Sequence, residues 1–319
     1  MRSRVSAGII SIALAVVFIR KADPNLFWES LSQASLGWVI LGFLLFGATT
    51  VGMSVRWHAM ACEAGVAVHP LASWKMCAIG HFFNTLLFGP MGGDTAKTAL
   101  YHRYFGRPLS KIASACIFDR VLGLLASVIM GMLLIPLVQI SDMGPIDKQL
   151  TLQLSPWHGV VALILLGAAL ALRNRFLKKP NSKSRLVRKS IKPLWNRLTG
   201  KPWVLLKTLS IGMGIQLVWC GLLGINLIAV CREPIPWTST LWTFPLIGFI
   251  ASTPFTIAGA GMREGAAYFF LKPYGIGEAD IAAAALLTFA DYFVWAMFGA
   301  IILGREEFLF KRRQKAVSL

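Results

Sequence analysis

The sequence predicts an all-α polytopic integral membrane protein, and three observations carry that prediction. Hydrophobic residues make up 56% of the 319 positions and charged residues only 14%, whereas a soluble domain carries about 25% charged. Mean hydropathy is +0.63. The apolar residues gather into runs near the roughly 20 residues that span a bilayer core as a helix. These values exclude a soluble globular enzyme, a disordered chain and a small disulfide scaffold. Cys62, Cys77, Cys116, Cys220 and Cys231 form no close pairs, so neither a zinc site nor a disulfide framework is expected. The formal charge is +18. Because the bases lie between apolar runs, they read as an orientation signal rather than a nucleic-acid surface.

Six apolar runs are long enough for full spans: 5–19, 36–55, 112–138, 157–172, 204–230 and 281–303. The first follows Arg2 and Arg4 and has no A-x-A-like cleavage site after it, so it reads as a retained span. Two further segments are apolar but broken. Segment 71–105 is interrupted at Phe88-Gly89-Pro90-Met91-Gly92-Gly93, and segment 238–271 at Ala258-Gly259-Ala260-Gly261. Glycine and proline both interrupt helices.

Charge assigns the sides. Residues 173–202 hold eleven Lys or Arg and no acid, which makes that loop cytoplasmic. The basic tail after Gly304 and the N-terminal arginines join it, giving an N-in, C-in chain. Loop 139–156 has one base and two acids and falls outside. With the basic loops 56–70 and 94–111 on the cytoplasmic side, segment 71–105 must return to the side it came from. Segment 238–271 must likewise enter and leave from outside.

The chain is therefore expected to be one membrane domain, 1–319, of six full spans and two opposed re-entrant hairpins. Its first repeat covers 36–139 and its second, inverted, covers 203–303. At a constant offset of 169 residues Gly92 falls on Gly261, Gly106 on Gly275, Ile112-Ala113 on Ile281-Ala282 and Ala115 on Ala284. Inverted repeats whose broken helices meet near the midplane are a transporter signature.

Four places could carry chemistry. In the loop Gly92-Gly93-Asp94, glycines expose backbone N–H groups and a helix beginning near Thr95 turns its positive end toward an anion. Asp94 is either that helix's N-cap or a substrate contact, and Lys97 lies one turn on. Asp119-Arg120 lie roughly 11 Å into a span, where charge needs a partner or a wet cavity. They read either as substrate groups or as structural ions, with Arg120 paired to Asp94. In Gly261-Met262-Arg263-Glu264, Arg263 is suited to bidentate phosphate binding. Its alternative is a local pair with Glu264. Asp291 sits roughly 15 Å deep, either as a proton or cation group, as a partner for Arg120 or Arg263, or hydrogen-bonded to a neighbouring helix. Arg56-Trp57 reads as an interfacial anchor. The five histidines show no ligand spacing, and no metal or cofactor is expected. No P-loop and no G-x-S-x-G motif occurs, which weakens ATP-driven transport and serine hydrolysis.

These residues, with His81-Phe82-Phe83-Asn84-Thr85-Leu86-Leu87, Gly123-Leu124 and Gly259-Ala260-Gly261-Met262-Arg263-Glu264-Gly265, resemble the membrane region of the lysylphosphatidylglycerol synthases, a flippase-like family with stand-alone members. The resemblance covers nearly the whole chain. Two departures are visible: Gly89-Pro90 stands where the family has Leu-Pro-Gly spacing, and Lys97 stands where it has arginine. The resemblance implies translocation of an anionic or zwitterionic phospholipid or lipid-linked headgroup. It implies no lysylphosphatidylglycerol synthesis, since no soluble transferase domain fits before Leu319. The expected partners are membrane lipid as substrate and a separately encoded lipid-modifying enzyme. The alternatives are an intramembrane enzyme acting on a lipid phosphate or lipid-linked sugar, and a membrane partner of a separate lipid synthase.

Overall fold

A computed structural model describes residues 23–88, 92–140, 182–231, 234–235, 241, 243–251 and 261–317. These residues form ten α-helices in chain order. They are α1 (Pro24–Ser32), α2 (Leu36–Glu63), α3 (Pro70–Phe82), α4 (Gly92–Phe105), α5 (Leu109–Ile140), α6 (Ser182–Thr199), α7 (Pro202–Val230), α8 (Thr243–Ala251), α9 (Met262–Leu271) and α10 (Glu278–Val317). Four of them, α2, α5, α7 and α10, are long and apolar enough to cross a membrane. They contain the expected spans 36–55, 112–138, 204–230 and 281–303. The expected spans 5–19 and 157–172 lie outside the described residues, as do Gly89-Pro90-Met91 and Gly259-Ala260.

Each broken segment holds two described helices. Helix α3 widens into a π-helical turn over Phe83–Phe88, and α4 begins at Gly92. Helix α8 covers Thr243–Ala251 and α9 covers Met262–Leu271. Helices α4, α8 and α9 have 14, 9 and 10 residues. At 1.5 Å per residue such a piece reaches only about half to two thirds of the way through a bilayer core of roughly 30 Å.

Hydrogen bonds place the ends of these pieces. Tyr101, late in α4, donates to Val66, just before α3, at 3.1 Å. Arg107 donates to the carbonyl of Ala67. The chain therefore comes back, at the end of α4, to the end where α3 began. Around it cluster Lys75–Glu306 at 2.7 Å, Arg103–Glu307 at 2.8 Å and Lys201–Glu63 at 3.3 Å. The opposite end is tied by Ser30 to Asp280, by Lys272 to Glu278, and by the Ser35 N–H to Ala229.

The offset of 169 residues reappears in the backbone. Gly106 and Gly275 both take left-handed conformations, with φ of 62° and 79°, a region glycine enters without steric cost. Three residues after each, a long helix begins: α5 at Leu109 and α10 at Glu278. Ile112 and Ile281 are both buried at equivalent places on these helices.

Two differences from the sequence expectations stand out. Residues 182–199 of the basic loop form a helix, α6, whose Leu194 and Leu198 are buried and whose Trp195 ring stacks on Phe118. Its scattered apolar residues are diluted by lysine and arginine, so a hydropathy scan passes over it. Helix α1 was not expected either. It is short, is capped by the Asp23 carboxylate at the Asn25 N–H, and buries only Phe27.

Candidate functional site

The first helix break is built on backbone contact. A Cβ added to Gly93 would sit 2.2 Å from the Gly80 carbonyl oxygen, and one added to Gly299 would sit 2.2 Å from that of Ala78. Only glycine lets α4 and α10 approach α3 this closely. The Gly93 N–H also donates to Asn84 at 2.6 Å, which ties the start of α4 to the π-helical turn.

Directly after this crossing stands a charge cluster. Arg120 of α5 reaches one oxygen of Asp94 through Nε at 2.9 Å and through Nη2 at 2.7 Å. Lys97 lies 3.4 Å from the other oxygen. Its ammonium also lies 4.8 Å from the centroid of the Trp57 ring. Lys97 is buried, while the Asp94 and Arg120 side chains remain 30% and 37% exposed. Two bases therefore face one acid, with the guanidinium and carboxylate open to an incoming group. That net positive, part-open fork suits a phosphate or another oxyanion.

This geometry revises the reading of Asp94. The helix starts at Gly92 rather than near Thr95, because both glycines already join it. Asp94 therefore lies in the first turn, and its carboxylate holds Arg120 and Lys97.

Behind the cluster lies a second ion pair. Arg56 donates to both oxygens of Asp119, at 2.8 and 3.2 Å. The Arg56 and Asp119 side chains are only 6% and 11% exposed. The guanidinium packs where a Cβ on Gly123 or Gly212 would stand, at 3.0 and 3.4 Å. Arg56 is thus a buried residue that joins α2, α5 and α7, not an interfacial anchor. Successive helical residues point about 100° apart. With Asp119 fixed against α2, Arg120 is turned toward α4.

At the second break, Gly261 has φ of 84° and its N–H donates to Glu264. Arg263 is buried, 3.8 Å from Glu264 and 5.6 Å from the centroid of the Tyr292 ring. Tyr292 in turn packs edge-on to Phe46, and Phe46 against His81. An aromatic chain thus links the two breaks through α2. Asp291 is buried and accepts from Asn226 at 3.1 Å, while Asn226 also donates to Thr288. Among the described residues the partner shown for Asp291 is this α7 amide. Asn226 offers no charge to mark it in the sequence; only its burial in an apolar span could have singled it out.

The structure thus brings Gly92, Gly93, Asp94, Lys97 and Arg120 together, with Asp119 behind them. Gly261, Arg263 and Glu264 form a second group, and Asp291 stands apart with Asn226. Among the described residues no three His, Cys, Asp or Glu side chains group to hold a metal ion.

Long apolar helices, two interrupted segments and charge at both interruptions define a helical multi-pass membrane protein. Residues 5–299 match the family model of the lysylphosphatidylglycerol synthase TM region. The chain belongs to that family, and the match includes no synthase domain. No curated protein matches the chain.

Proposed function

We propose that this protein moves an anionic or zwitterionic lipid headgroup across the cell (inner) membrane while the acyl chains stay in the bilayer. The carrying observation is the part-open Asp94–Arg120 fork beside buried Lys97 at a helix break. Charge is expensive at membrane depth and stands there in pairs or along a substrate path. The Asp94 and Arg120 side chains are 30% and 37% exposed, so an incoming group can reach them.

The two breaks act as opposed re-entrant hairpins in an inverted repeat. The return of α4 to the start of α3 supports the first hairpin. The repeated left-handed glycine and helix start, at opposite ends of the molecule, support the inversion. Gly92, Gly93 and Gly261 shape the turns. Lys97, Arg120 and Arg263 attract the phosphate; Asp94, Glu264 and Asp291 balance them or meet a cationic group; and Asp119 holds its neighbour Arg120 in place. The end carrying Glu63, Lys75, Arg103 and Lys201 faces the cytoplasm, by its basic loops. Movement of one repeat against the other would expose the fork to each leaflet in turn.

The test is lipid crossing in proteoliposomes with acyl-labelled phospholipids. Wild-type protein should accelerate crossing, and Arg120→Ala and Arg263→Ala should each abolish it in protein that still inserts and stays monodisperse. Wild-type crossing by both variants would refute the site.

A further inference from the structure

His81 and Thr85 stand one turn apart, on α3 and its π-helical extension. They are 6% and 3% exposed. Among the described residues the His81 Nε2 and the Thr85 Oγ1 have no hydrogen-bond partner. Leaving one such buried group unmet is costly, and buried polar atoms in folded proteins are nearly always paired. Two at successive turns mark a place where something else completes the bonding. A π-helical turn inside an α-helix is itself frequent at functional sites.

The place adjoins the charge cluster. Gly80 precedes His81 and Gly93 precedes Asp94, and these two glycines are in backbone contact. Asn84, next to Thr85, accepts from the Gly93 N–H. The buried His81 and Thr85 therefore stand on the turn that packs against the start of α4, close in the chain to the part-open Asp94–Arg120 pair.

We infer that His81 and Thr85 form a subsite for a headgroup hydroxyl. This rests on the lipid-translocation reading above and names the chemistry of the substrate. A neutral imidazole and a threonine hydroxyl can each donate or accept a hydrogen bond. A hydroxyl does the same and is matched without transferring charge. An ammonium offers donors alone, and a phosphate monoanion chiefly acceptors; each is better met by the charged Asp94, Lys97 and Arg120. The favoured cargo is a lipid phosphate bearing a hydroxylated head.

The test compares short-chain phosphatidylglycerol with phosphatidylpropanol, which has the same charge and lacks both head hydroxyls. Binding to detergent-solubilised protein is measured by calorimetry. The wild type should prefer phosphatidylglycerol by about ten-fold, the size expected for one buried hydroxyl contact. His81→Phe with Thr85→Val should bring the ratio below about two-fold, while Thr85→Ser should keep it. Should the double variant fail to fold, Thr85→Val against Thr85→Ser makes the same comparison. Equal binding by the wild type, or a ratio unchanged in the variants, would overturn the subsite and leave the pair to bound water. Crossing of acyl-labelled phosphatidylglycerol in proteoliposomes is measured separately. Selective binding without crossing would retire the translocation reading and keep the subsite. Crossing without selectivity would do the reverse.

Discussion

Removing the Arg56 guanidinium should destabilise the protein far more than removing Arg56 and Asp119 together. The pair is bidentate, at 2.8 and 3.2 Å, and both side chains are nearly closed to their surroundings. Arg56→Met leaves the Asp119 carboxylate buried without its counter-ion. Breaking a buried pair on one side typically costs about 3–5 kcal/mol, whereas replacing both partners with apolar groups is often close to neutral. Arg56→Met and Asp119→Leu should therefore each lose about 3–5 kcal/mol, and the double variant should lose far less than their sum. Unfolding in detergent, followed by denaturant titration at fixed detergent concentration, measures this cycle. Single variants within about 0.5 kcal/mol of the wild type, or strictly additive losses, would refute the reasoning. The cycle also bears on the site. If Asp119 fixes the rotation of α5, Asp119→Leu should misplace Arg120 and reduce lipid crossing even in the double variant that recovers stability.

Other expectations follow from close backbone approaches and from the charge pattern. Gly93→Ala puts a methyl carbon 2.2 Å from the Gly80 carbonyl and should cost about 1–3 kcal/mol or more in thermal stability. Gly299→Ala meets Ala78 in the same way, whereas Gly265→Ala has open space and should be nearly neutral in the same assay. Gly106→Ala and Gly275→Ala meet no atom within 4 Å, so each should lose only the left-handed backbone penalty of about 1–2 kcal/mol. Unequal losses would count against their being equivalent turns. In oriented vesicles, membrane-impermeant thiol reagents should label exposed Cys62 from the cytoplasmic side and a Lys272→Cys variant from the other. Labelling of both from one side would contradict the assigned orientation.

Much of the helical frame was legible because its signals are local. Runs of about 20 apolar residues locate a span without knowledge of its neighbours, and α2, α5, α7 and α10 lie where those runs predict. Each glycine-rich interruption likewise lies within a segment that holds two described helices, α3 and α4 in the first and α8 and α9 in the second. Helix α6 was not legible as a helix, since its buried Leu194 and Leu198 are surrounded by bases that lower its hydropathy.

The candidate site was legible only in its charges. Asp94 with Arg120 was one of the readings left open, and the structure pairs them. Arg56 was read as an interface residue because it stands near a helix end. Its burial depends on Gly123 and Gly212, 67 or more residues away, leaving room for a guanidinium. Asn226 and the Phe46–Tyr292 contact are likewise tertiary, and no spacing rule along one helix reveals them.

The most direct measurement follows one lipid by both leaflet and mass. Purified protein is reconstituted with an acyl-labelled phospholipid, the outward-facing label is quenched over time, and the lipid is then recovered for mass spectrometry. Translocation predicts protein-dependent loss of leaflet asymmetry with the lipid chemically unchanged. A lipid converted to product while asymmetry persists would contradict it and make the protein an intramembrane enzyme.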